Sequence, residues 1–105
     1  MASLKESVAP FHKELIEVDN QLSDPNVISN RGKLKELSLR RNYLEEIIGI
    51  ADRYFQAEKY FDELKEALDG DDVELAEMAE LEMELAEKKY LETKEGLENA
   101  LLPRN

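Results

Sequence analysis

The sequence predicts an all-α fold, an elongated antiparallel three-helix bundle from which a two-helix, coiled-coil-like tip projects. Three observations carry this expectation. Charged residues make up 37% of the 105 positions, while Gly and Pro together occupy only seven, the profile of long helices. Apolar residues recur at steps of three and four through three long segments, the period of a helix with one buried face. The segments are separated by two short turn signals, Ser23-Asp24-Pro25-Asn26 and Gly70-Asp71.

The first helix is expected over about residues 4–22. Ser3 and Glu6 have capping-box spacing, and Leu4, Val8, Phe11, Leu15, Val18 and Leu22 form the seam. Pro10 lies inside it, so the helix either kinks there or starts at Pro10, and the unbroken seam favours a kink. Asp24, Pro25 and Asn26 then reverse the chain, because Asp and Asn bond their own backbone and Pro presets φ.

The second helix is expected over 30–69, capped by Ser29 or Asn30 and ended by Gly70 in a left-handed conformation. At 1.5 Å per residue it is a rod of about 60 Å. Its apolar stripe includes Leu37, Leu44, Ile47, Ile48, Ala51, Tyr54 and Phe55, flanked by Tyr43, Ile50, Ala57 and Leu64. Beyond Phe55 the stripe narrows, because Glu58 and Lys65 take seam positions. Two neighbours are needed along the first part and one along the second.

The third helix, over 72–101, opens on a capping box of Asp71 and Glu74. It carries Ala76, Ala79, Met83, Ala86, Tyr90, Leu97 and Leu101 on one face, and Pro103 stops it. A short link makes the second and third helices antiparallel, while the shorter first helix covers only the near half of the second. The 105 residues then form a single helical domain.

Several function classes are excluded by residue content. There is no Cys, which removes disulfides and thiolate metal sites and fits a reducing cytoplasm. No apolar run approaches the roughly 20 residues that span a bilayer, and the start lacks a secretory signal pattern, so no membrane partner is expected. The single His12 has no Ser-His-Asp or Glu-x-x-His context. Gly32, Gly49, Gly70 and Gly96 stand alone and cannot make a phosphate-cradling loop. No enzyme activity, metal or cofactor is expected, and Tyr60 is the one aromatic that falls off the stripe.

Charge is unevenly distributed. The net charge is -11, and between Asp62 and Glu87 twelve acidic residues face one base, Lys65. Within that window Asp69, Asp71, Asp72, Glu74 and Glu77 surround the second turn and form a candidate partner-binding tip. A basic cluster of Arg31, Lys33, Lys35, Arg40 and Arg41 is the other candidate surface, interrupted only by Glu36. It either meets RNA phosphate, with an affinity that falls with salt, or pairs internally, with Arg40 and Arg41 reaching carboxylates of the third helix. The overall negative charge argues against direct DNA binding.

Particular strings also carry a resemblance. Leu22-Ser23-Asp24-Pro25-Asn26, the Leu37-Ser38 pair in the following helix, the run from Asp71 to Ala79, and Leu101-Leu102-Pro103-Arg104-Asn105 occur in the order and separation seen in one family. Together they resemble the first helical domain of the bacterial peptide chain release factor 1 family. The sister release factor 2 family fits less well, because it usually carries a Trp after the Pro turn and this chain has none.

The resemblance implies the first domain of a longer translation termination factor that directs peptidyl-tRNA hydrolysis at UAA and UAG. It implies as partners the GTPase-associated region of the large ribosomal subunit and a class II release factor. The family's Gly-Gly-Gln and Pro-x-Thr motifs are not in this sequence, which has no Gly-Gly pair and whose only Thr, Thr93, does not follow a Pro by two. Codon reading and hydrolysis therefore lie outside these residues, and the expected role is that of an interaction module. The alternative is a free-standing helical adaptor or coiled-coil protein that shares the pattern.

Overall fold

The computed structural model describes residues 2–103; Arg104 and Asn105, the end of the Leu-Leu-Pro-Arg-Asn segment, lie outside the described residues. The order is α1 (Leu4–Leu22), α2 (Pro25–Ile28), α3 (Arg31–Asp69) and α4 (Val73–Ala100), with no strand among the described residues. The chain divides into two compact units between Gly49 and Ile50. The long helix α3 contributes to both.

In the first unit, the Ser3 hydroxyl accepts from the Glu6 amide at 3.1 Å and donates to the Glu6 carboxylate at 3.1 Å, so the start of α1 is capped as its spacing predicts. The helix runs through Pro10, and the alternative start at Pro10 is not what the chain adopts. The Asp-Pro-Asn turn holds one more element than expected. Asp24 caps the single-turn α2 by accepting from the Asn26 amide at 2.9 Å, and Pro25 occupies its first position, where a missing N–H costs nothing. This turn also buries Val27. Between the two candidate caps of α3, Asn30 does the work, its side-chain oxygen accepting from Lys33 N at 3.1 Å.

Side by side in this unit, α1 and the start of α3 run antiparallel: Phe11 faces Tyr43 at 6.5 Å between ring centres, and Glu14 faces Arg40. Val8, Val18, Leu44 and Ile47 are buried.

In the second unit, α3 turns into α4 through three residues. Two expectations for this turn are corrected. Gly70 is not left-handed, since no described glycine has positive φ. Instead its N–H reaches back to Ala67 O at 3.3 Å, tightening the last turn of α3. The cap of α4 is Asp72, not Asp71: its carboxylate accepts from the Leu75 amide at 3.1 Å, one position later than the expected box.

A core cluster of Leu64, Ala79 and Ala86, with Phe61, Ala67 and Met83 packed against it, joins the end of α3 to α4 as an antiparallel hairpin. Small Ala side chains let the helices approach closely. Further along, Tyr90 of α4 meets Tyr54 at 5.8 Å and Phe61 at 5.3 Å between ring centres, within the range where tilted rings attract. Tyr54 is buried and its hydroxyl donates to Glu58 at 2.6 Å, which explains why an acid occupies that seam position. Burial, then the neighbouring Glu58 carboxylate, pushes the Tyr54 phenol well above its ordinary value, keeping it a neutral donor. Lys65, the other polar seam residue, sits over the Phe61 ring at 4.5 Å.

Candidate functional site

The two candidate surfaces behave differently once folded. The acidic residues are all exposed and close in sequence across the α3–α4 turn: Asp69 ends α3, Asp71 lies in the link, Asp72 caps α4, and Glu74 and Glu77 follow on its first turns. Acids at this end of α4 meet the positive pole of the helix dipole, a favourable placement of a few tenths of a kcal/mol, roughly, at exposed positions. Asp72 therefore has a structural task, whereas the side chains of Asp69, Asp71 and Glu77 make no hydrogen bond or ion pair among the described residues.

The basic cluster is split by the fold. Arg40 makes a bidentate contact with Glu14 of α1, Nε to Oε2 at 2.5 Å and Nη2 to Oε1 at 2.7 Å. The guanidinium also lies 5.0 Å from the centre of the Tyr43 ring. Arg41 donates to Asp19 of α1 at 2.6 Å and pairs with Glu45 at 2.7 Å. Both arginines therefore pair within the chain, but the expected partners on the third helix are corrected: the carboxylates are on α1 and within α3 itself. The hydrogen bond from Arg40 holds the Glu14 carboxyl below its ordinary value, and the same bond raises Arg40. Arg41 is raised chiefly by its bond to Asp19.

Arg31, Lys33 and Lys35 remain exposed on the first turns of α3, without an ion pair among the described residues. No acid lies in the first turn of that helix. Cations there add to the positive pole of the helix dipole, so this end carries positive potential that Glu36 offsets only in part.

His12 is exposed on α1. Among the described residues no three His, Asp or Glu side chains gather where a metal could be held, and no helix is long and apolar enough to cross a membrane.

One surface was not singled out from the sequence. Tyr60 of α3 and Leu75, Met78, Leu81 and Leu85 of α4 are all exposed. Two adjoining grooves run between them, of about 290 and 360 Å³, sharing Tyr60 and Glu82 as lining residues. The signal for it is present in the chain: Met78, Leu81 and Leu85 recur at steps of three and four, a second apolar stripe beside the one through Ala79, Met83 and Ala86.

Comparison with known proteins bears on these surfaces. The family profile of the PCRF domain matches residues 11–105. The chain is similar to peptide chain release factor 1 of Treponema denticola, 30% identical over 101 residues, which is 95% of this chain and 28% of that protein. The chain thus spans little more than a quarter of the length of that curated relative. No solved structure matches it significantly.

Proposed function

The chain belongs to the PCRF domain family, and from that membership we propose that it is the first domain of a larger translation termination factor, serving as a helical interaction module in the cytoplasm. The similarity to a peptide chain release factor 1 along 95% of the chain is the observation that carries the reading. Codon reading at UAA and UAG and hydrolysis of peptidyl-tRNA belong, on this reading, to parts of the factor outside these residues, which hold neither Gly-Gly-Gln nor Pro-x-Thr. The partners are the large-subunit GTPase-associated region of the ribosome and a class II release factor.

The two surfaces divide the work. The acidic turn of Asp69, Asp71, Asp72, Glu74 and Glu77 faces basic ribosomal protein surface and raises the encounter rate, because opposite potentials steer diffusion. Arg31, Lys33 and Lys35 at the start of α3 reach RNA phosphate. Arg40 and Arg41 act indirectly, by holding α1 against α3 so that this end is presented.

The test is the rate of ribosome association of the full-length factor at low and high salt. Charge reversal at Asp69, Asp71 and Glu77, with Asp72 left in place because it caps α4, is expected to slow association several-fold at low salt, with the difference vanishing at high salt. Unchanged kinetics at low salt would remove the acidic turn from the account.

A further inference from the structure

We infer that the groove between α3 and α4 in the second unit docks a basic amphipathic helix of a partner protein, with Leu81 and Leu85 as its apolar anchors.

The apolar side chains here are not scattered. Leu75, Met78, Leu81 and Leu85 are 50%, 64%, 86% and 73% exposed, and Tyr60 adds a ring at 43%. Contiguous exposed apolar groups of this kind mark contact sites, because leaving them in water is unfavourable. Their shape selects the occupant. Tyr60 and Glu82 line both grooves, so the two form one trough along α4, with Ala57, Leu64, Ala67, Ala79 and Ala86 in its floor. A trough between two helices, edged by side chains at steps of three and four, accepts the ridge of a third helix.

The charge around the trough selects the chemistry of that helix. Glu63 and Glu82 line it directly, and the span from Asp62 to Glu87, which supplies most of its lining residues, carries a net charge of -11. Among the described residues, Lys89 at one end of the trough is the base that lines it. A second copy would bring the same acidic rim against itself. An RNA strand or an anionic membrane would likewise be repelled. A helix with Leu-type residues on one face and Lys or Arg beside them satisfies both the floor and the rim, through apolar burial at the centre and opposite charges at the edge.

This inference deepens the interaction reading above but its test contains no ribosome, so either can fail alone. The 105-residue chain is titrated, with fluorescence anisotropy as readout, against a labelled helical peptide of Leu and Lys residues and against its counterpart with Glu for Lys. Binding of the Lys peptide is expected to weaken about tenfold or more in the Leu81→Ser/Leu85→Ser variant, as when anchors are lost. It should be unchanged in Ile16→Ser, another exposed apolar site, on α1 and outside the trough. Circular dichroism verifies that both variants are folded. Equal binding by the Leu81→Ser/Leu85→Ser variant would overturn the docking site, leaving only diffuse electrostatics. So would equal binding of the Glu peptide, retention of a polyuridine strand, or a concentration-dependent mass in sedimentation that Leu81→Ser/Leu85→Ser abolishes, the last making a second copy the occupant.

Discussion

The two compact units solve helix packing with different chemistry. In the first, α1 is joined to α3 by cross-helix ion pairs, Arg40 with Glu14 and Arg41 with Asp19, beside buried branched side chains such as Val8, Val18, Leu44 and Ile47. In the second, the ion pairs among the described residues lie within one helix, Lys65 with Asp62 and Lys88 with Glu92. There the helices meet through small Ala residues and a set of three rings, Tyr54, Phe61 and Tyr90. The difference teaches where specificity comes from. The bidentate Arg40–Glu14 contact and the single Arg41–Asp19 bond add direction to the apolar packing of α1, while α4 packs through small Ala residues that leave its outer face for other use.

Breaking each unit at its core should give the largest effects. Leu44 has no exposed surface, and Leu44→Ala is expected to lower stability by about 2–5 kcal/mol, since a cavity adds to lost burial. A shift in the midpoint of urea unfolding measures it. The second unit should be more sensitive to added volume: Ala86→Leu is expected to cost about 1–3 kcal/mol by forcing α3 and α4 apart. If Ala86→Leu were neutral in the same unfolding experiment, close Ala packing would not be what holds the hairpin.

The smallest effect should come from the ion pairs. Both Glu14 and Arg40 are more than a third exposed in their side chains, at 36% and 45%, so solvent screening limits the pair to about 0.2–1 kcal/mol. Because the folded-state Glu14 carboxyl lies below its ordinary value of 4.5, its contribution is present above that value and is lost as pH falls through the lowered one. A double-mutant cycle of Glu14→Gln and Arg40→Gln should show coupling at neutral pH that is lost as acid protonates Glu14, below its ordinary range, and is screened out in about 1 M salt. Coupling that survives acid would assign the contact to packing of Arg40 on Tyr43 instead.

Part of the candidate site was legible before folding. The acidic turn and the basic start of the long helix are contiguous in sequence, so their residues were bound to lie near one another. The partners of Arg40 and Arg41 were not legible, because many carboxylates were within plausible reach and only the pairing of α1 with α3 selects Glu14 and Asp19. The docking trough escaped for a related reason. A periodic reading assigns each helix one buried face, and Met78, Leu81 and Leu85 formed a second stripe on a helix whose first was already accounted for.

Local physics explains why the residues alone were enough to show that the chain is helical and to place the helix starts to within a residue: the Ser3 box and the Asp-Pro turn act over two or three residues, well within the reach of a motif. Family membership was likewise legible from strings of neighbouring residues, and the family profile matches residues 11–105. Tertiary structure decided the finer choices. It selected Glu14 and Asp19 as the partners of Arg40 and Arg41, buried Val27, and left Leu81 and Leu85 uncovered. These outcomes depend on how much room one helix leaves another, a quantity that sums contacts from distant parts of the chain.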